Sequence, residues 1–176
     1  MGKSISVLSG IGGSGKTTVS LLLTRLLSNA NKKVLYVDCD FSTYGATCFF
    51  EKYLNKKDEI FTTEELFFNN NSNHKLKQVL NIEKNIFFVP ACTYIPNEHK
   101  LNYKTQFNEE VYYNLLNDYD IIIFDCQTGY SEINKQIVKF ANKNLIISEA
   151  NALNSSATRL LYAQLSHELD ADNTFQ

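Results

Sequence analysis

The amino-acid sequence predicts a doubly wound α/β domain, a mainly parallel sheet with helices on both faces, and three observations carry that expectation. Short runs of β-formers such as Ile121-Ile122-Ile123-Phe124 are apolar on both faces, as strands covered by helices on either side must be. These runs alternate with longer stretches of helical periodicity, strand then helix five times over. Several end abruptly in Asp or in a glycine cluster, which puts polar chemistry at the carboxyl ends of the strands, where ligands of such sheets bind. A length of 176 residues, with 44% hydrophobic and 20% charged, matches a single domain over 1–176.

Ser4 to Leu8 is the first strand, and from Thr17 to Leu27 the residues Val19, Leu22, Leu23, Leu26 and Leu27 recur at helical spacing. Polar residues from Asn29 to Lys33 end that helix, and Val34 to Val37 is a second strand that stops at Asp38 and Asp40, completing a βαβ unit. Thr62 to Phe68 reads as a short helix capped by its threonines, and Asn69 to Asn73 as an exposed loop. Ile86 to Val89 is a third strand with Pro90 at its exit, and Tyr94 to Asn108 is polar enough for a long surface connection. Glu109 to Leu116 is helical, Ile121 to Phe124 is the strongest buried strand, and a helix over Ile133 to Ala141 leads to a fifth strand at Leu145 to Ile147. A last helix covers Ser156 to Glu168, and no internal repeat or interdomain linker interrupts the series.

Composition narrows the function classes. Seventeen Lys and Arg against nineteen Asp and Glu leave a formal charge of -2, which gives no global field for wrapping nucleic acid or an anionic membrane. No run approaches the ~18 apolar residues needed to span a bilayer, and no basic n-region precedes the first strand, so the chain reads as cytoplasmic. Cys39, Cys48, Cys92 and Cys126 lie far apart with no C-x-x-C pair, which suits a reduced intracellular protein.

Gly10-Ile11-Gly12-Gly13-Ser14-Gly15-Lys16-Thr17 fits G-x-x-x-x-G-K-[ST] and sits between a strand and a helix, as that motif requires. Glycines let the backbone curl so that successive N–H groups and a helix N-terminus face phosphate oxygens. Gly12, Gly13, Ser14, Gly15, Lys16, Thr17 and Thr18 are therefore the candidate nucleotide-binding residues, with Lys16 on the β and γ phosphates and the Thr17 hydroxyl on Mg²⁺. Asp125, closing an apolar strand, is placed to hold the magnesium's water shell. Asp38 and Asp40 flank Cys39, and alternation along a strand sends both carboxylates to one side. Two acids there repel unless a cation or water lies between them, which points to Asp38 beside the metal and to Asp38 and Asp40 arranging the attacking water.

Ser9 to Thr18 resembles the deviant Walker A motif of the ParA/MinD group of P-loop ATPases. Val34 to Asp40 resembles that group's strand ending in D-x-D, and Tyr119 to Gly129 (YDIIIFDCQTG) its Walker B region. The likeness runs from about residue 4 to about residue 165, loosely over Phe41 to Phe88. It implies a strand order of 3-2-4-1-5 for the five strands above, ATP and Mg²⁺ as ligands, and a nucleotide-dependent homodimer. It further implies that hydrolysis separates the dimer, and that the cycle positions a protein cargo of the plasmid, division-site or polar-assembly type.

Two departures matter. Ile11 stands where the family carries its signature lysine, a cation that reaches the partner's nucleotide, so hydrolysis is expected to be slow or impaired. The CpaE/TadZ-like pilus-assembly branch resembles this chain in tolerating that loss, and Gly129 to Asn134 is somewhat similar to it. Gln127 replaces the proline more usual two residues after the Walker B aspartate, which implies a more mobile loop.

Other residues carry blander readings beside sharper ones. Cys39, Cys92 and Cys126 follow neighbouring strand ends under the implied order, as small residues filling crowded positions or, in the sharper reading, as a thiolate metal or redox site. His74, His99 and His167 lack ligand spacing and read as surface histidines. Lys32-Lys33 and Lys56-Lys57 read as solvated turns, and Lys75 and Lys77 are the best candidates for a DNA contact that the net charge does not support. Ten tyrosines raise the tyrosine-kinase branch of the superfamily, whose C-terminal tyrosine cluster this tail lacks.

Three functions are left open: a slow positioning ATPase, a nucleotide-binding scaffold without hydrolysis, and an ATP-dependent metal-site maturation factor. The protein is expected in the cytoplasm, recruited to membrane or cell pole through partners. The implied sheet normally continues beyond Gln176, so a chain shortened after the fifth or sixth strand is expected, with an exposed sheet edge, a poorly ordered tail and a weakened base site.

Overall fold

The computed structural model describes residues 1–54, 60–68, 78–92, 107–169 and 171–175. Loop Asn69 to Asn73, most of the connection from Tyr94, and His74, His99, Lys56, Lys57, Lys75 and Lys77 lie outside the described residues. The chain runs β1 (Lys3–Ser9), α1 (Lys16–Asn29), β2 (Val34–Cys39), α2 (Gly45–Phe49), α3 (Glu51–Leu54), α4 (Thr63–Phe68), β3 (Leu80–Glu83), β4 (Ile86–Val89) and α5 (Glu109–Asp118). It continues with β5 (Ile121–Cys126), α6 (Glu132–Phe140), β6 (Lys143–Ile147), α7 (Ala152–Leu165) and β7 (Thr174–Phe175).

The strands form one seven-stranded sheet in the order β3-β4-β2-β5-β1-β6-β7. The five strands expected from sequence stand in the implied order, and all their pairings are parallel. Side-chain alternation divides the core. Leu8, Leu35, Val37, Ile122 and Phe124 pack under α4 to α7, while Val7, Val34, Tyr36 and Ile123 pack under α1, α2 and α3. Of the helices expected from sequence, α7 begins earlier than anticipated, because the Asn151 side chain accepts the Asn154 N–H at 2.8 Å and caps it. Asn108 and Ser131 cap α5 and α6 in the same way.

The sequence reading misses several elements. β3 is a short edge strand, antiparallel to β4, joined to it through Asn85 in the left-handed region at φ 62°. α2 and α3 are too short to show periodicity. At the other edge the tail, expected to be poorly ordered, carries a 3₁₀ turn and two residues of β7 paired parallel with β6. Lys33, expected in a solvated turn, is half-buried with its ammonium 4.6 Å from the centre of the Tyr119 ring.

The buried face of α1 also differs from its leucine spacing. The residues turned to the sheet are Lys16, Ser20, Thr24 and Ser28, one helical turn apart, while Leu22 and Leu26 are 59% and 66% exposed. Leu21, Leu23 and Leu27 flank that polar stripe and fill the core on either side. Each stripe hydroxyl is bonded: Thr24 to the Ser20 carbonyl at 2.8 Å and Ser28 to the Lys84 carbonyl at 3.0 Å.

Gly10 is where β1 meets α7. A Cβ there would lie 2.5 Å from the carbonyl carbon and oxygen of Ala157, so only glycine fits. Gly10→Ala should therefore cost about 1–3 kcal/mol of folding stability through overpacking against backbone. Gly12→Ala, whose Cβ would meet nothing within 4 Å, should change stability by less than about 0.5 kcal/mol. Urea unfolding of the two variants checks the contrast, and equal losses would refute it.

Candidate functional site

The glycine loop joins the end of β1 to α1 at the carboxyl edge of the sheet. Gly13 and Gly15 are left-handed, at φ 80° and 85°, which curls the backbone as the motif demands. A Cβ on Gly12, Gly13 or Gly15 would meet nothing within 4 Å, so the loop encloses open space. α1 starts with no side-chain cap and no acidic residue in its first turn, and its positive end is left for an external anion. The Ser14 Oγ is buried with no protein partner. An uncapped helix, an open cradle and an orphaned hydroxyl are what a phosphate chain satisfies. Of the remaining loop candidates, Thr17 is half-buried and Thr18 exposed; Ile11 is half-buried.

Lys16 is buried, and its Nζ lies 3.2 Å from Oδ1 of Asp125, which is itself inaccessible to solvent. The same oxygen accepts the Ser20 hydroxyl at 3.2 Å, and the other, Oδ2, accepts the Tyr36 hydroxyl at 2.7 Å. Burial, then the neighbouring carboxylate, pushes the Tyr36 phenol well above its ordinary pKa, so Tyr36 is a donor at all working pH.

Asp38 pairs with Asp125 in the parallel register of β2 and β5, on the α1 side of the sheet. Its Oδ2 accepts the Thr47 N–H at 2.8 Å and the Thr47 hydroxyl at 2.7 Å, and its Oδ1 accepts the Asp40 N–H at 3.0 Å. Burial pushes this carboxyl up to about 6 against the pull of those donors. Asp40 lies one residue past the end of β2, and its carboxylate turns back on its own loop. It accepts the Ser42 and Thr43 N–H groups at 3.0 Å and their hydroxyls at 2.5 and 2.7 Å. Burial raises its pKa, but these four hydrogen bonds outweigh that and hold the carboxyl below its ordinary value. The pair expected to share one task is thus divided between two hydrogen-bond sets.

The loop after β5, where Gln127 implied mobility, is pinned. Asn134 donates from Nδ2 to the carbonyls of Gln127 and Gly129, and the Gly129 N–H donates to the Ser9 carbonyl at 2.9 Å. Cys39 and Cys126 are neighbours in register, fully buried in the core on the face of the sheet opposite α1. Burial raises both thiols, and Cys92 to about 12, so none is a thiolate near neutral pH. Among the described residues, no group of three or more His, Cys, Asp and Glu is placed to hold a metal ion. His167 is exposed.

Sequence reading missed four side chains that build the site. Ser20 follows Lys16 by one helical turn, and Tyr36 precedes Asp38 by two residues on one strand face, so spacing carried a signal for both. Thr47 and Asn134 act across loops and left none.

A family model described as an AAA domain matches residues 2–171. No curated protein is significantly similar in sequence. Among solved structures, a plasmid partition protein from Borrelia burgdorferi superposes with a TM-score of 0.75 at 22% identity, covering 95% of this chain and 74% of that one. The septum site-determining protein MinD of Pyrococcus horikoshii, complexed with Mg-ADP, gives 0.69 at 21% identity over 96% and 67% of the two chains. The MinC:MinD cell division complex of Aquifex aeolicus gives 0.70 at 19% identity over 98% and 66%. Among the described residues, no helix is long and apolar enough to cross a membrane.

The Asp38 environment sets a pH dependence. With a folded pKa of about 6 and an unfolded one near the ordinary value of about 3.9, folding takes up a proton between those limits. The Asp38 contribution to stability is thus greatest below about pH 4 and falls as pH rises through about 6. The wild-type unfolding free energy minus that of Asp38→Asn should fall by about 2–3 kcal/mol between pH 4 and 7, measured by denaturant titration. A constant difference would refute this reading.

Proposed function

Because the chain belongs to the AAA-domain family and has the fold of the ParA/MinD-type P-loop ATPases, we propose that it binds ATP with Mg²⁺ and uses nucleotide state to control association. The associations are with a second copy and a protein cargo, in a partition, division-site or polar-assembly role. One observation carries the reading: an open cradle of left-handed glycines leads into an uncapped α1, with the ammonium of Lys16 buried beside it. The Mg-ADP of the Pyrococcus protein and the MinC:MinD pairing of the Aquifex complex are in line with it. The place of action is the cytoplasm, with recruitment to membrane or pole through partners.

In this reading Gly12, Gly13, Ser14, Gly15 and Thr18 line the phosphates, and the Ser14 hydroxyl gains the partner it lacks. Lys16 exchanges Asp125 for phosphate oxygens. Thr17, Asp38 and Asp125 hold the metal and its waters, and with so few protein donors most of its shell is left to phosphate and water. Bound Mg²⁺ supplies positive charge to the oxygens on which charge develops. Asp38 and Asp40 arrange the attacking water, and each must first give up bonds, Asp38 to Thr47 and the Asp40 N–H, Asp40 to Ser42 and Thr43.

Ile11 favours a second reading, a scaffold that binds nucleotide and hydrolyses little. An aliphatic side chain at that loop position brings no cation to the phosphates of a facing copy.

Lys16→Ala should weaken Mg-ATP binding by roughly 10- to 100-fold in calorimetry, the loss of a charged hydrogen-bonding partner. Absence of any binding heat from the wild type would sink nucleotide binding altogether. Ile11→Lys should raise phosphate release well above wild type if only the trans cation is missing, since such groups contribute about 10³–10⁵ in kcat elsewhere. No increase, with binding retained, would favour the scaffold.

A further inference from the structure

Resting on that reading, we propose that Tyr36 is the positioning residue of Asp125, a phenol that fixes the angle at which the carboxylate plane meets the metal. The two oxygens have separate partners. Oδ1 faces the Lys16 ammonium and the Ser20 hydroxyl, both at 3.2 Å, and Oδ2 receives the Tyr36 hydroxyl at 2.7 Å. Tyr36 comes from the neighbouring strand β2 and is wholly buried, its ring 5.9 Å from that of Phe88, which in turn lies 4.8 Å from Phe50. It is the polar exception in the run Val34-Leu35-Tyr36-Val37, and its hydroxyl reaches the carboxylate from the same face as α1.

The contact gains importance once nucleotide arrives. When Lys16 turns to the phosphates, Oδ1 is freed for the metal's waters and keeps only Ser20, while Oδ2 keeps Tyr36. The last torsion of an aspartate is broad, so an unanchored carboxylate would swing through a wide range of angles. A charge-assisted bond from a buried phenol narrows that range. Tyr36 touches neither phosphate nor reacting water; it acts through Asp125.

Tyr36→Phe keeps the ring and removes the donor. Calorimetry with ATP in Mg²⁺ and in EDTA separates metal-dependent affinity from phosphate binding. The Mg²⁺-dependent gain in affinity should fall roughly tenfold or more, as losing a hydrogen bond to a charged group implies, while metal-free affinity stays at the wild-type value. An equal gain in both proteins overturns the proposal, as does a matching loss of metal-free affinity, which would mean general damage. A wild type that binds no nucleotide overturns the functional reading instead. The contact is then decided in the nucleotide-free protein by proton NMR. A slowly exchanging hydroxyl resonance, absent from Tyr36→Phe, should shift in Asp125→Asn, and a resonance insensitive to that change overturns the proposal.

Discussion

A buried charge must be answered where it lies, and the carboxylate of Asp125 is the charge around which this fold is arranged. It is met by Lys16 and Ser20 from α1 and by Tyr36 from β2, so one side chain ties the central strand β5 to the first helix and to the adjacent strand. Lys16 is buried as well, and each ion makes the burial of the other tolerable. The polar stripe of α1 follows from this: a helix that carries a buried lysine to a buried acid presents its small hydroxyl residues to the sheet and moves its leucines to the flanks.

The same pairing ties stability to binding. A lysine engaged by Asp125 is kept in place and desolvated beside the glycine cradle, so the cost of burying it is met before any anion arrives. What a phosphate must supply is a better partner than the carboxylate, and the uncapped end of α1 with the orphaned Ser14 hydroxyl adds to that side of the exchange.

Asp38 does for the β2 side what Asp125 does for the centre. Its carboxylate holds Thr47 of α2, the Thr47 hydroxyl accepts the Ala91 N–H just past β4, and the Asp38 carbonyl accepts the Thr63 hydroxyl of α4. Helices on opposite faces of the sheet thus meet at one residue, and a change in what Asp38 binds reaches both. The Asp40 carboxylate is satisfied within its own turn, and Asp40 joins that network through its N–H, which donates to Oδ1 of Asp38.

Local information determined much of this protein. Apolar runs ending in Asp marked β2 and β5, the glycine motif marked the turn into α1, and Lys16 and Asp125 were legible as candidate site residues, because strand period, turn chemistry and motif spacing are properties of short windows. Thr47, β3 and α2 were not, since each is too short or too polar to carry a period and is held in place by contacts from elsewhere. The leucine spacing of α1 was read correctly as a helix, but its inward face was decided by an acid 109 residues away from Lys16. Tyr36 looked like one more β-former until the fold set it against a carboxylate 89 residues on. The sequence by itself determined which groups carry charge and where the chain turns. Only the tertiary structure decided their partners, because a buried charge is paired by whatever the sheet brings beside it, irrespective of distance along the chain.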